Sequence, residues 1–274
     1  MNCRKMNLKE HSDYIYVNGK KLETAWHGPP PNKLPTLIFL HEGLGCVELW
    51  RDFPAKLSEA TGCGALVYSR LGYGRSDSCL LPRPVRFMHD EGLTVLPELV
   101  KTVGIKKCIL IGHSDGGSVS IIYAGGTPAL PLHGLITEAA HIFCEQISVQ
   151  SIEMAKEAFL DGNLKEKLKK YHGDNTDCAF WGWNGVWLHP EFLKWNLEEY
   201  LPNIRVPMLA IQGENDQYGT EAQINSIAEK TGKETKVLIL PKCRHSPHSE
   251  KEYQTLQAMT DFILRIINKR IRSC

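Results

Sequence analysis

The sequence has no uncharged apolar stretch near the roughly 18 residues a helix needs to cross a bilayer. It also lacks a charge imbalance: 32 Lys and Arg stand against 31 Asp and Glu. That excludes the basic excess of a nucleic-acid-binding chain and the acidic excess of a solvating tail. No C-x-x-C pair occurs among the nine cysteines, and no two have zinc-finger spacing. Thiols scattered in odd number over such a chain suit a reducing compartment better than a disulfide scaffold. The first ten residues carry charge and no apolar core, so they do not read as a secretory signal. The expectation is a cytoplasmic protein with neither membrane nor nucleic acid as partner. No histidine pair has H-x-H or H-x-x-x-H spacing, so no metal site is expected. Internal repeats and low-complexity tracts are missing too.

What remains is an ordinary globular balance, 42% hydrophobic and 23% charged residues, in a 274-residue chain that can bury a large core without staples. Tyr14 to Val17, Asn18-Gly19 and Leu22 to Trp26 read as a hairpin, because Asn-Gly supplies the two positive φ values a tight turn needs. From Thr36 onward, short apolar runs recur: Thr36–Leu40, Ala65–Tyr68, Cys108–Ile111, Leu135-Ile136, Met208–Ile211 and Val237–Leu240. Runs without alternation suit strands covered on both faces, which means a parallel sheet. Amphipathic segments such as Val85 to Val103 and Thr220 to Lys230 fill the intervals. The fold class is therefore α/β, a mostly parallel central sheet flanked by helices. Between His141 and Pro207 the rhythm stops. Helical patterns at 149–160, 163–171 and 178–200 replace it, with four of the six tryptophans. This predicts a helical cap over 141–205, inserted in a core of 13–140 and 206–270.

The sharpest motif is Gly112-His113-Ser114-Asp115-Gly116, which fits G-x-S-x-G. The run Cys108–Ile111 precedes it and a helical stretch, Ser118 to Ala124, follows. A serine on such a strand-to-helix turn has its hydroxyl exposed at the strand end, and small flanking residues let the chains approach. Thr36–Leu40 leads into His41-Glu42-Gly43-Leu44-Gly45, a glycine-rich loop that can aim a backbone N–H at a developing oxyanion. The N–H of Asp115 would be the second donor, helped by the helix N-terminus. Asp216 follows Met208–Ile211, and His245 follows Val237–Leu240. Ser114, Asp216 and His245 thus run in the order nucleophile, acid, base, each just after an apolar strand. Such strand ends converge on one crevice.

From about Asn18 to Ile267 the chain resembles the α/β-hydrolase fold superfamily. The resemblance implies Ser114 as nucleophile, His245 as base and Asp216 as acid, with Gly43 and Asp115 as oxyanion donors. Leu71-Gly72-Tyr73-Gly74-Arg75-Ser76-Asp77 is similar to the family's G-x-G-x-S loop, and 141–207 takes the place of its helical cap. Two departures stand out. Glu42 enlarges the usual His-Gly loop, as a packing residue or as part of an ion pair under the site. Ser69 stands where the family often has Asp. Epoxide hydrolases and haloalkane dehalogenases of this fold use an aspartate nucleophile, and that position here is Ser114.

The expected activity is cleavage of a small or medium hydrophobic ester, thioester or lactone through an acyl-enzyme, without cofactor. Carbon–carbon hydrolysis of a diketone, or a ligand-binding receptor on the same fold, are the alternatives. Trp181, Trp183 and Trp187 are expected to line the substrate pocket, and Asp115 could favour a cationic group there. In His245-Ser-Pro-His248, Pro247 biases Ser246 to an extended conformation. That leaves His245 as the base and His248 as a cap or surface residue.

Overall fold

The computed structural model describes residues 13–31, 34–126 and 131–271. The reading of the first ten residues, with Cys3 and Cys274, lies outside them. Strands β1 (Asp13–Val17), β2 (Lys20–His27), β3 (Thr36–Leu40), β4 (Ala65–Tyr68), β5 (Cys108–His113), β6 (Leu132–Glu138), β7 (Met208–Gly213) and β8 (Thr235–Leu240) form one sheet. Their order is β1-β2-β4-β3-β5-β6-β7-β8. β1 and β2 are antiparallel, joined through Asn18 and Gly19 at φ 51° and 75°, and β2 is antiparallel to β4. Every later pairing is parallel.

The continuous apolar runs are explained by two cores, one on each face. Ile109 and Ile111 of β5 face the layer with Leu37, Phe39, Trp50 and Ile263. Cys108 and Leu110 face the layer with Leu40, Val119, Ile122 and Trp187. One helical layer contains α1 (Phe53–Thr61) and, near the C-terminus, a long closing helix, Glu252–Ile271. The 85–103 segment becomes α2 (Phe87–Asp90), a single π turn and α3 (Leu96–Val103). Next is α4 (Asp115–Gly126), of which residues 115–124 are all buried. A helix with no polar face belongs at the centre of a fold, and α4 sits under the middle of the sheet. Later come α8 (Glu221–Lys230), the short α9 (Pro247–Glu250) and α10, the closing helix.

Between β6 and β7 lie α5 (Gln146–Leu160), α6 (Leu164–His172) and α7 (Thr176–Trp187), then short 3-10 turns. The expected continuous helix over 178–200 therefore ends at Trp187. Pro190 and Pro202 lie in the stretch that follows, where missing N–H groups oppose a long helix. The sheet's far edge also departs from expectation. β8 pairs only with β7, and its Val237 and Ile239 are 38% and 36% exposed. An apolar run here marks an edge strand rather than one buried on both faces.

Strand order reverses between β3 and β5, and a crevice opens at the C-terminal ends of strands where this happens. The loops after these two strands face each other there. Gly116 is what lets them meet: a Cβ on it would fall on the Leu40 carbonyl and within 2.7 Å of the His41 carbonyl oxygen. Gly116→Ala should therefore destabilise the fold by about 1–3 kcal/mol, the usual range for overpacking. A lower midpoint in urea unfolding at unchanged slope is the expected result.

Candidate active site

Ser114 sits between β5 and α4 at φ 52°. This left-handed conformation is uncommon outside glycine and lifts the side chain clear of strand and helix. The turn is locked by Ser114 N–H donating to the Glu138 carbonyl (2.8 Å) and Ser118 N–H donating to the Ser114 carbonyl (3.0 Å). Asp216 comes from the loop after β7, where its N–H bonds the Gly213 carbonyl at 3.2 Å. His245 comes from the loop after β8.

The three side chains meet although 131 residues separate Ser114 from His245. Ser114 Oγ lies 2.9 Å from His245 Nε2. His245 Nδ1 lies 2.8 and 3.0 Å from the two Asp216 oxygens. A carboxylate can only accept, so Nδ1 carries the proton and Nε2 is left to accept from the serine hydroxyl. Asp216 Oδ1 also accepts the Tyr218 N–H at 2.9 Å. Burial opposes charge on Asp216, but His245 and the Tyr218 N–H outweigh it and hold the carboxyl below its ordinary pKa.

Gly43 and Asp115 border the same cavity, of about 150 Å³, with Leu44, His141, Ile152, Trp183, Trp187 and Tyr218 also in its wall. Asp115 is the first residue of α4, and first-turn N–H groups have no intrahelical acceptor. A Cβ on Gly43 would overlap the Trp183 indole, so this loop position accepts no side chain while α7 is in place. Arg70 grips the loop. Its guanidinium donates to the carbonyls of His41 and Glu42, and its own N–H bonds His41 Nε2 at 3.0 Å. Ser69, in the position of the family's Asp, accepts from Val47 N–H (2.9 Å) and donates to Glu23 (2.7 Å), tying the same region to β2.

Trp183 and Trp187 reach the cavity and Trp181 does not. Residues four apart share a helix face, and a residue two away points elsewhere. Trp181 instead packs edge-on against Phe159 of α5, with ring centroids 5.6 Å apart. The i, i+4 spacing of 183 and 187 was the signal that separates them.

His248 is likewise not a surface residue. It is buried, and its N–H and Nδ1 both donate to Glu138 Oε2, at 2.9 and 3.0 Å. His113 completes a buried polar layer behind the site, its Nε2 donating to the His245 carbonyl at 2.7 Å. Glu42 Oε2 lies 3.6 Å from His113 Nδ1, so the extra residue of the loop forms an ion pair. Burial opposes charge on His113, but Glu42, with Glu138 behind it, raises its pKa to about 9. Glu42, opposed by burial, is held low mainly by His113. His172 at the end of α6 is a further residue the motifs did not reveal. It accepts the Gly74 N–H and donates to the Leu44 carbonyl, both at 2.9 Å, fastening the helical segment to the loops beside the site.

A larger cavity, about 630 Å³, is bordered by Lys20, Arg70, Leu80 and Glu91 and has none of Ser114, Asp216 and His245 in its wall. Chemistry, not volume, distinguishes the smaller one. Among the described residues no group of three or more His, Cys, Asp or Glu could hold a metal ion, and no helix is long and apolar enough to cross a membrane.

A sequence model of the Alpha/beta hydrolase family matches residues 37–256. The (lyso)-N-acylphosphatidylethanolamine lipase of Homo sapiens is 30% identical over 121 residues, which cover 44% of this chain and 35% of the lipase. Epoxide hydrolase 3 of Xenopus tropicalis is 20% identical over 92% of this chain and 78% of its own length. Among solved structures, the enol-lactonase from Burkholderia xenovorans LB400 superposes with a TM-score of 0.70 at 20% identity, covering 92% of this chain and 100% of that one. The structure reported for carboxylesterases of Nitrososphaera gargenis gives 0.74 at 18% identity, covering 94% and 100%. The shared fold, with a family match over most of the sequence, identifies the chain as a member of the Alpha/beta hydrolase family.

Proposed function

We propose that the protein is a serine hydrolase that cleaves a small carboxylic ester, thioester or lactone through an acyl-enzyme. The observation that carries this reading is the unbroken hydrogen-bonded run from Ser114 through His245 to Asp216. In this reading Ser114 Oγ attacks the substrate carbonyl carbon while its proton passes to His245 Nε2. Asp216 holds the imidazole tautomer and stabilises the imidazolium. The carbonyl oxygen gains negative charge between the N–H groups of Gly43 and Asp115. His245 then returns the proton to the leaving group, and water, deprotonated by the same imidazole, releases the acid. A serine in the nucleophile position argues against the aspartate-based opening of an epoxide, whatever the likeness to epoxide hydrolase 3.

The cavity of about 150 Å³ is below the roughly 300 Å³ of ordinary ligand pockets, which favours a small acyl group. The helical segment between β6 and β7 serves as the cap that sets this size, through Trp183 and Trp187. Trp183→Ala should extend activity to longer acyl chains by about tenfold while altering the shortest ester by only about threefold, as expected when pocket volume alone changes. An equal loss on every ester would assign Trp183 to packing instead.

The deciding experiment is labelling with a fluorophosphonate, followed by a panel of p-nitrophenyl esters of rising chain length beside a lactone and an acyl-thioester. Covalent modification at Ser114 and repeated turnover are expected. Absence of labelling would remove the serine mechanism, and a single turnover with retained product would favour a receptor.

A further inference from the structure

Beside the cavity is buried a carboxyl group that acyl transfer does not need. Asp115 is wholly buried, yet it borders the cavity with Ser114, His141 and Trp187. Its Oδ1 accepts from Trp187 Nε1 at 3.1 Å. Its Oδ2 is buried and has no hydrogen-bond partner among the described residues. An unsatisfied buried acceptor is costly, more so if charged, and a donor brought by a ligand would relieve that cost.

The groups around it leave that role open. Arg70 and Arg83 act on the carboxyl through space, but their hydrogen bonds go elsewhere. Arg70 donates through its two terminal nitrogens to the carbonyls of His41 and Glu42, and its buried Nε makes no bond to the carboxyl. Arg83 is spent on Tyr73 Oη, the Leu71 carbonyl and Cys79 Sγ. Burial raises the Asp115 pKa to about 6, with Arg70, the Trp187 bond, Arg83 and His245 opposing the rise. His141 borders the same cavity, and burial together with His245 lowers its pKa to about 3. It therefore stays neutral and offers no cation to compete for the carboxylate. Ile152, Trp183 and Trp187 give the cavity an apolar lining, and a charge-assisted bond is stronger in such surroundings.

We propose that the Asp115 carboxyl binds a protonated amine on the acyl half of the substrate, so that the preferred substrates are amino-substituted carboxylic esters. The inference rests on the acyl-transfer reading above. The backbone N–H of this residue faces the carbonyl oxygen in that reading and the side chain leaves the same Cα. An amine one or two bonds from the carbonyl is then within reach. An ammonium supplies donors and charge together, whereas an alkyl group of the same shape leaves Oδ2 unpaired.

The test compares L-alanine benzyl ester with benzyl isobutyrate, in which a methyl group replaces the ammonium. At pH 7 both the α-amine and Asp115 are predominantly charged. The ratio of kcat/KM, amine over alkyl, should be about tenfold or more, as for a site built to pair a polar group. It should fall toward one at pH 5, where Asp115 takes up a proton. Asp115→Asn should abolish the preference, whatever it does to the absolute rates. As a second measurement on the unaltered protein, 1-aminoethylboronic acid should inhibit more tightly than isopropylboronic acid by a similar factor. Equal kcat/KM for the two esters and equal inhibition by the two boronates would overturn the proposal, as would a preference that survives Asp115→Asn. If neither ester turns over and no fluorophosphonate label appears at Ser114, the hydrolase mechanism itself has failed. Turnover of both esters without preference sinks only the amine site.

Discussion

Ser114→Ala should lower kcat on any ester substrate by about four to six orders of magnitude, the loss found when a nucleophile of this kind is removed. The variant should fold normally. Alanine keeps the backbone, and the turn is held by main-chain bonds from Ser114 N–H and to its carbonyl, not by the hydroxyl. Circular dichroism and the urea midpoint should therefore match the parent protein while fluorophosphonate labelling disappears. Labelling that persists at another residue, or turnover close to the parent's, would mean that the hydrogen-bonded run at this strand end is not the reacting centre.

The second large effect separates two histidines three residues apart. His245→Ala removes the group that accepts the serine proton in the proposed mechanism, and kcat should fall by about four orders of magnitude or more. His248→Ala should change kcat by about tenfold or less, but it should cost about 1–3 kcal/mol of stability. Its imidazole is one of two donors to the buried Glu138 Oε2, and its loss leaves a carboxylate with only the backbone N–H. Burial opposes charge on Glu138, and His248 is the largest influence holding that carboxyl below its ordinary pKa. Steady-state kinetics and urea unfolding of the two variants should thus give opposite patterns. A dead but stable His248→Ala beside an active His245→Ala would reverse the roles.

How much of this could be read without coordinates depended on the distance over which information had to travel. The strands were legible because apolar runs such as Cys108–Ile111 state their own environment. The turn at Ser114 was legible because the requirement is local: glycine two residues either side, strand before, helix after. The buried layer behind the site was not. His113 finds its partner 132 residues away and His248 finds Glu138 at 110, and neither residue type announces such a partner. His248 therefore reads from sequence as a cap or surface residue. Trp181 packs away from the cavity, and the sequence hides this for a different reason. Composition marked the segment as aromatic, but only helical phase tells which indoles share a face. Val237 and Ile239 misled because an edge strand can be as apolar as a central one.

The site also has an order of appearance. Ser114 belongs to the middle of the chain, whereas His245 lies beyond β8, the last strand to be added. During synthesis from the N-terminus, the serine turn can form on strands β3 to β6 while the imidazole that would activate it is still unmade. A ribosome-bound or truncated chain ending before Thr235 would carry the hydroxyl but no base. Reactivity would then be a property of the finished protein alone. An incomplete chain would present its neighbours in the cell with a serine no more nucleophilic than any other.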